Sequence, residues 1–145
     1  MENIYCVATT YRAAIMEAKH NRRFGWRDRM SNFPGGCCDD SCDLLAHYLY
    51  EEHGVHARQR NGTYRDNNPN NTVNHAWLVT DDNIIIDITA DQFKFFSEYS
   101  EGVYVGKEIP FYKHFERQLF HENHDIMADT RLRRDYQIIK NYIII

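Results

Sequence analysis

Val73-Asn74-His75-Ala76-Trp77-Leu78-Val79-Thr80-Asp81-Asp82-Asn83-Ile84-Ile85-Ile86-Asp87-Ile88-Thr89 contains two short β-rich runs, residues 73–79 and 84–89, on either side of a polar turn. Such a pair is a β-hairpin, and the length of its loop decides which side chains share a face. A three-residue loop at 81–83 sets Thr80 opposite Ile84, Trp77 opposite Asp87 and His75 opposite Thr89. His75 and Asp87 then lie on one face as diagonal neighbours, roughly 7–8 Å apart at the backbone, within reach of a side-chain hydrogen bond. Ala76, Leu78, Ile84, Ile86 and Ile88 fill the other face. A two-residue loop flips one strand and separates the pair.

Upstream, Gly35-Gly36-Cys37-Cys38-Asp39-Asp40 is a glycine-rich turn that delivers two cysteines to the start of a helix over residues 38–53. Leu44, Leu45, Tyr48 and Leu49 recur at helical spacing, and Gly54 stands where a C′ glycine belongs. Cys38, seven residues before Leu45, falls on the buried face. There its thiol meets unpaired N–H groups and the positive end of the helix dipole, which favour thiolate, while Asp39 and Asp40 oppose it. A basic partner is needed.

The remaining elements follow from periodicity and turn chemistry. Residues 6–22 form a first helix with an Ala8, Tyr11, Ile15, Ala18 stripe, and Thr9 or Thr10 is a candidate cap. Residues 24–34 read as loop, and 55–60 as a strand closed by the Asn61-Gly62 turn signal. Residues 66–72 are polar, include Pro69, and read as a surface loop rimming a cleft. Residues 103–105 are a candidate strand, 111–120 are aromatic-rich and ambiguous, and 129–139 are a final helix. On that helix Arg131, Arg133 and Arg134 are expected to form a solvated face. The tail from Ile143 is expected to pack or extend a strand.

At 145 residues, with 43% hydrophobic and 26% charged residues, the chain fits one domain able to bury a core without staples. A net charge of −4 without a long basic block argues against nucleic acid or an acidic membrane as partner. No apolar run approaches the roughly 18 residues of a membrane span. Residues 1–6 lack the features of a signal peptide, so the cytoplasm is expected, with export as an effector by a route without a Sec signal left open. Of four cysteines, Cys37, Cys38 and Cys42 crowd one helix start and Cys6 is remote, an awkward set for disulfides.

Chemistry enters with Cys38, His75 and Asp87. A thiol attacks an acyl carbon as thiolate, so it needs a base, and the base needs a group that fixes its tautomer. An aspartate inside Ile84-Ile85-Ile86-Asp87-Ile88 is costly to bury unless paired, and His75 is the nearest partner. The Cys38 backbone N–H is a natural oxyanion donor, and the Asn32 side chain is a candidate second. Against this stands a buried cysteine acting as a small hydrophobe, the reading for Cys42, and a histidine satisfied in the core. Zinc is the competing chemistry, from the cysteine cluster with His121 and His124 or His53 and His56, although no spacing matches a two-plus-two knuckle.

Phe33-Pro34-Gly35-Gly36-Cys37-Cys38-Asp39-Asp40-Ser41-Cys42-Asp43-Leu44-Leu45, then His75-Ala76-Trp77-Leu78, then Asp87-Ile88-Thr89-Ala90-Asp91-Gln92-Phe93 resembles papain-like and transglutaminase-like cysteine enzymes, in particular small bacterial papain-fold proteins, some of them toxins or effectors. The sequence is also similar to effector glutamine deamidases. The resemblance implies Cys38 as nucleophile, His75 as base and Asp87 as orienter. The doubled cysteine leaves Cys37 as an alternative nucleophile, and Cys42 stands where serine is expected.

The expectation is therefore one α+β domain of papain-like/transglutaminase-like fold, helices packed on a small antiparallel sheet, with a cleft between the central helix and the His75 strand. It is expected to be a cysteine amide hydrolase or acyltransferase that acts on a protein or peptide and needs no cofactor. A catalytically silent binding module and a zinc-stabilised interaction domain are the alternatives.

Overall fold

A computed structural model describes residues 2–64, 73–92 and 102–143. Within them the chain runs α1 (Glu2–His20), α2 (Cys38–His53), β1 (Ala57–Tyr64), β2 (Val73–Thr80), β3 (Ile85–Asp87), β4 (Tyr104–Gly106), the one-turn α3 (Pro110–Lys113), β5 (Phe115–His121) and α4 (Thr130–Asn141). The strands form an antiparallel sheet in the order β4-β3-β2-β1-β5. The class is α+β: four strands follow one another between helical segments and, with β5, pair antiparallel, so no βαβ alternation arises among the described residues.

The β2–β3 hairpin has the three-residue loop. Leu78 pairs with Ile86 and Val79 with Ile85, and the Thr80 N–H donates to the Ile84 carbonyl at 2.9 Å. The Thr80 hydroxyl accepts from the Ile84 N–H at 3.1 Å, and Asn83 takes the left-handed conformation, φ 63°, that closes such a loop. Alternation then sorts β2 and β3 onto two faces. Ala76, Leu78, Ile86 and Ile88 pack with Leu44, Leu45 and Leu49 of α2, joined by the apolar stripes of α1 and α4. Trp77, Val79 and Ile85 pack on the opposite face with Phe111, Tyr112 and Phe115. Ile84, at the hairpin end, is only half-buried.

The central helix has the expected bounds, with Gly54 in the left-handed conformation (φ 64°) and its N–H closing onto Leu49 and Tyr50 carbonyls. Elsewhere local signals mislead. α1 begins at Glu2, so Thr9 and Thr10 lie exposed within it and cap nothing. β1 does not stop at Asn61-Gly62 but continues to Tyr64, because pairing with both β2 and β5 outweighs the turn preference. Gly62 stands opposite a bulge in β5, where Arg117 has φ 53°. A Cβ there would meet Phe115 Cβ at 2.9 Å and the Glu116 carbonyl at 3.1 Å, so packing requires the glycine. The ambiguous aromatic stretch resolves into α3 and β5, and the strand expected at 103–105 is β4, one residue later. Ile143 packs half-buried against the core. The loop at 66–72, Phe93 and residues 144–145 lie outside the described residues. Among the described residues no helix is long and apolar enough to cross a membrane.

Candidate active site

Gly36, at φ 69°, turns the chain into α2. Cys37 is the N-cap residue, and its side chain makes no capping bond. Cys37 is 1% exposed, and its sulfur accepts the Ser41 hydroxyl at 3.7 Å. Cys38, the first residue of the helix, is half-buried at the core edge. The two adjacent cysteines therefore differ in access: Cys37 is in the core and Cys38 looks out of it. Cys42 is buried and behaves as the small hydrophobe expected.

His75 and Asp87 meet as the hairpin register demands, Nε2 to Oδ2 at 2.7 Å, with the His75 and Asp87 side chains 0% and 1% exposed. A carboxylate only accepts, so Nε2 is the donor of this bond. Asp87 has two more donors: the Tyr112 hydroxyl to Oδ2 at 2.8 Å and the Thr89 N–H to Oδ1 at 3.0 Å. The imidazole is walled by Trp77, Phe115 and Phe111, with ring centroids 5.4, 5.5 and 6.1 Å away. Gln92 Nε2 faces Nδ1 at 3.5 Å. Tyr112 and Gln92 are site residues that sequence reasoning missed. Gln92 belonged to the Asp87–Phe93 motif, while Tyr112 had no local signal.

Cys38 packs with the α2 side of the sheet, the face opposite the aromatic wall around His75. His75 and Ala76 alternate, so the α2 face carries Ala76 and the aromatic face carries His75. The Cys38 sulfur lies against the Ala76 N–H, one peptide from His75, and its side-chain hydrogen bond runs to Asp39 Oδ1 at 3.6 Å. Burial pushes the Cys38 thiol up to about 12; the Asp39 carboxylate and, more weakly, Asp87 add to this, against the Ala76 N–H. Burial raises Cys37 to about 11 and Cys42 well above the ordinary thiol value. The helix dipole expected to favour thiolate is thus outweighed, and the neutral form of the Cys38 thiol is favoured. A cavity of about 220 Å³ is lined, among the described residues, by Asp39 of α2, by Asn61, Gly62 and Thr63 of β1 and by Asn74 and His75 of β2; Cys38 is not among them.

Behind the thiol, α4 holds the turn in place. Arg131 donates to Asp28 Oδ1 at 2.9 Å and to both Asp40 oxygens at 3.0 and 3.2 Å. Asp28 in turn accepts from the Met30 N–H at 3.0 Å, capping the 3-10 turn at Arg29–Asn32, and Asp40 is two residues beyond Cys38. Arg131 is therefore not part of a solvated face, unlike Arg133 and Arg134, which are exposed. Asp135 lies wholly buried beside this cluster, with Arg131 and Arg134 only at 3.9 Å. Burial first, then a hydrogen bond shared with Asp28, pushes Asp135 up to about 8. Asp28 is held below its ordinary value: burial opposes this, but Asp135, the Met30 N–H and Arg131 outweigh it.

Asn32 is exposed, and its carbonyl accepts the Gly35 N–H at 3.0 Å, closing the turn ahead of the cysteines. The described contacts do not bring its side chain to the Cys38 thiol. All four cysteines are free, and among the described residues no group of three or more His, Cys, Asp or Glu is arranged to hold a metal. Comparison of the chain with protein-family models, with curated proteins and with solved structures finds no match.

Proposed function

We propose that this protein performs cysteine-dependent chemistry on an amide, with Cys38 as nucleophile, His75 as general base and Asp87 as the group that orients it. The buried His75–Asp87 pair carries the reading, since a desolvated imidazole with its Nε2–H held by a carboxylate keeps Nδ1 ready to take a proton. The position of Cys38 at the first residue of α2, against the strand that carries the base, adds support, and so does its access relative to Cys37. With a helix end over an antiparallel sheet, the arrangement is of the kind used by papain-like and transglutaminase-like enzymes.

The thiol proton passes to His75 Nδ1 as sulfur bonds to the amide carbon. The oxyanion is met by the Cys38 N–H, which has no acceptor within its own helix. Collapse expels ammonia or an amine, which leaves with the proton from His75, and water or a second amine resolves the thioester. Because the resting thiol is neutral, proton transfer accompanies attack instead of preceding it. Gln92 must give up its place beside Nδ1, and the Cys38 side chain must turn from Asp39 toward His75.

The test is ammonia release from benzyloxycarbonyl-Gln-Gly, with intact-mass detection of the acyl-enzyme. Cys38→Ala and His75→Ala should each lower turnover by at least about 10²-fold, with Cys37→Ala near wild type. Loss with Cys37→Ala and retention with Cys38→Ala would reverse the assignment. Absence of turnover and thioester across glutamine, isopeptide and peptide amides would leave the cleft as a binding surface for a protein partner.

A further inference from the structure

We infer that Asp39 determines specificity in this cleft: its carboxylate accepts the N–H of a primary carboxamide, and the same contact releases the Cys38 thiol for attack. This rests on the amide chemistry proposed above and narrows it to asparagine or glutamine side chains on a protein.

Three observations lead there. First, Asp39 and His75 line the same cavity, which puts Asp39 beside the space that a substrate occupies next to the proposed base. Second, the described walls of the cavity are polar: Asn61, Thr63 and Asn74 join Asp39 and His75. A carboxamide, which donates and accepts, finds both kinds of partner among them. The Thr63 hydroxyl donates to Asn74 Oδ1 at 2.9 Å, so the amide's donor end is its NH₂ group. Third, Asp39 Oδ1 is the present acceptor of the Cys38 S–H, at 3.6 Å. A carboxylate next to a nucleophilic thiol is a handicap by charge alone, so its placement calls for another use.

These combine in one exchange. In the free protein the S–H proton points at Asp39, away from His75. An entering –CONH₂ offers a better donor, since N–H to carboxylate bonds are far stronger than those of S–H. It displaces the thiol, whose proton turns to His75. An ester has no N–H to make the exchange, so the gate favours amides with a free NH₂.

The experiment has two arms on the full chain, with Asp39→Asn as the variant and circular dichroism as the check of folding. Asp39 is exposed on the first turn of α2, so the fold should tolerate the change. In the first arm, Cys38 modification by methyl methanethiosulfonate is followed against pH by mass spectrometry. The variant should react faster and at lower pH, because a thiol-directed carboxylate is gone. An unchanged profile would overturn the Asp39–thiol contact whether or not the protein is an enzyme. In the second arm, kcat/KM is compared for benzyloxycarbonyl-Gln-Gly and its glutamate γ-methyl ester counterpart. The variant should lose about tenfold or more on the amide and gain on the ester, whose attack no longer waits for the thiol to leave Asp39. Equal losses on both would overturn amide recognition by Asp39. A wild type idle on both substrates, with the first arm positive, would overturn the amide-chemistry reading and the substrate class that rests on it.

Discussion

Asp135→Asn removes a titrating group from a fully buried position while keeping its shape. The Asp135 side chain is 0% exposed, neither of its oxygens has a hydrogen-bond partner unless one carboxyl is protonated, and its nearest cations are 3.9 Å away. Facing it are Arg131 and Arg134 from its own helix, Asp28 from the loop before the cysteines and Tyr11 from α1, whose buried hydroxyl also lacks a partner. With Asp135 pushed up to about 8 in the fold and near 3.9 in the unfolded chain, the native state holds one extra proton between those limits. A raised carboxyl favours the fold below the unfolded value and loses that contribution as pH climbs toward the folded one. The slope is about −1.4 kcal/mol per pH unit for a full proton. Both pH 5 and pH 7 lie inside the window, so Asp135 costs the wild type up to about 2.7 kcal/mol over that interval. Solvent screening through exposed Arg134 reduces this to about 2 kcal/mol. The depressed Asp28 acts below its ordinary value, outside the interval. Asp43, raised to about 6 mainly by burial, contributes equally to both proteins and cancels. Urea unfolding of wild type and Asp135→Asn at pH 5, 6 and 7, followed by tryptophan fluorescence, should show the variant gaining on the wild type by about 2 kcal/mol from pH 5 to 7. Parallel curves, with a difference constant to within about 0.5 kcal/mol, would mean that Asp135 is ionised in the fold and would refute the shared proton.

Arg131→Met leaves Asp28 and Asp40 buried without their common cation and should cost about 3 kcal/mol, measured by urea unfolding at neutral pH; a loss near zero would place Arg131 in solvent. Gly62→Ala forces a Cβ to 2.9 Å from Phe115 Cβ, so a loss of about 1–3 kcal/mol is expected. An unchanged melting temperature would argue that β5 does not lie against β1 as described. Tyr112→Phe removes one of three donors to the buried Asp87 carboxylate and should cost about 1–3 kcal/mol, read by thermal unfolding. Retention of full stability would show Asp87 satisfied without it.

Much of the site was legible because its determinants are local. The helix at Cys38–His53 announces itself through glycines on both sides and leucines at helical spacing, signals that act within a turn or two of chain. The His75–Asp87 pair was legible for a related reason. One hairpin loop sets the register, Asp81–Asp82–Asn83 has the right length and an asparagine where the left-handed residue falls, and everything else follows from alternation. Asn61-Gly62 shows the limit of local reading: it is a good turn dipeptide, yet two neighbouring strands outvoted it.

The sequence by itself therefore determined the central helix, the hairpin and the diagonal pairing of a histidine with a buried aspartate, since each depends on residues close together in the chain. Only the tertiary structure decided which of the two adjacent cysteines is the more accessible, how far burial and Asp39 hold its thiol neutral, that Tyr112 steadies Asp87 and that Arg131 reaches back to clamp Asp28 and Asp40. Those are contacts and desolvation effects between segments far apart in sequence. Their energies depend on burial and distance, which no spacing along the chain encodes.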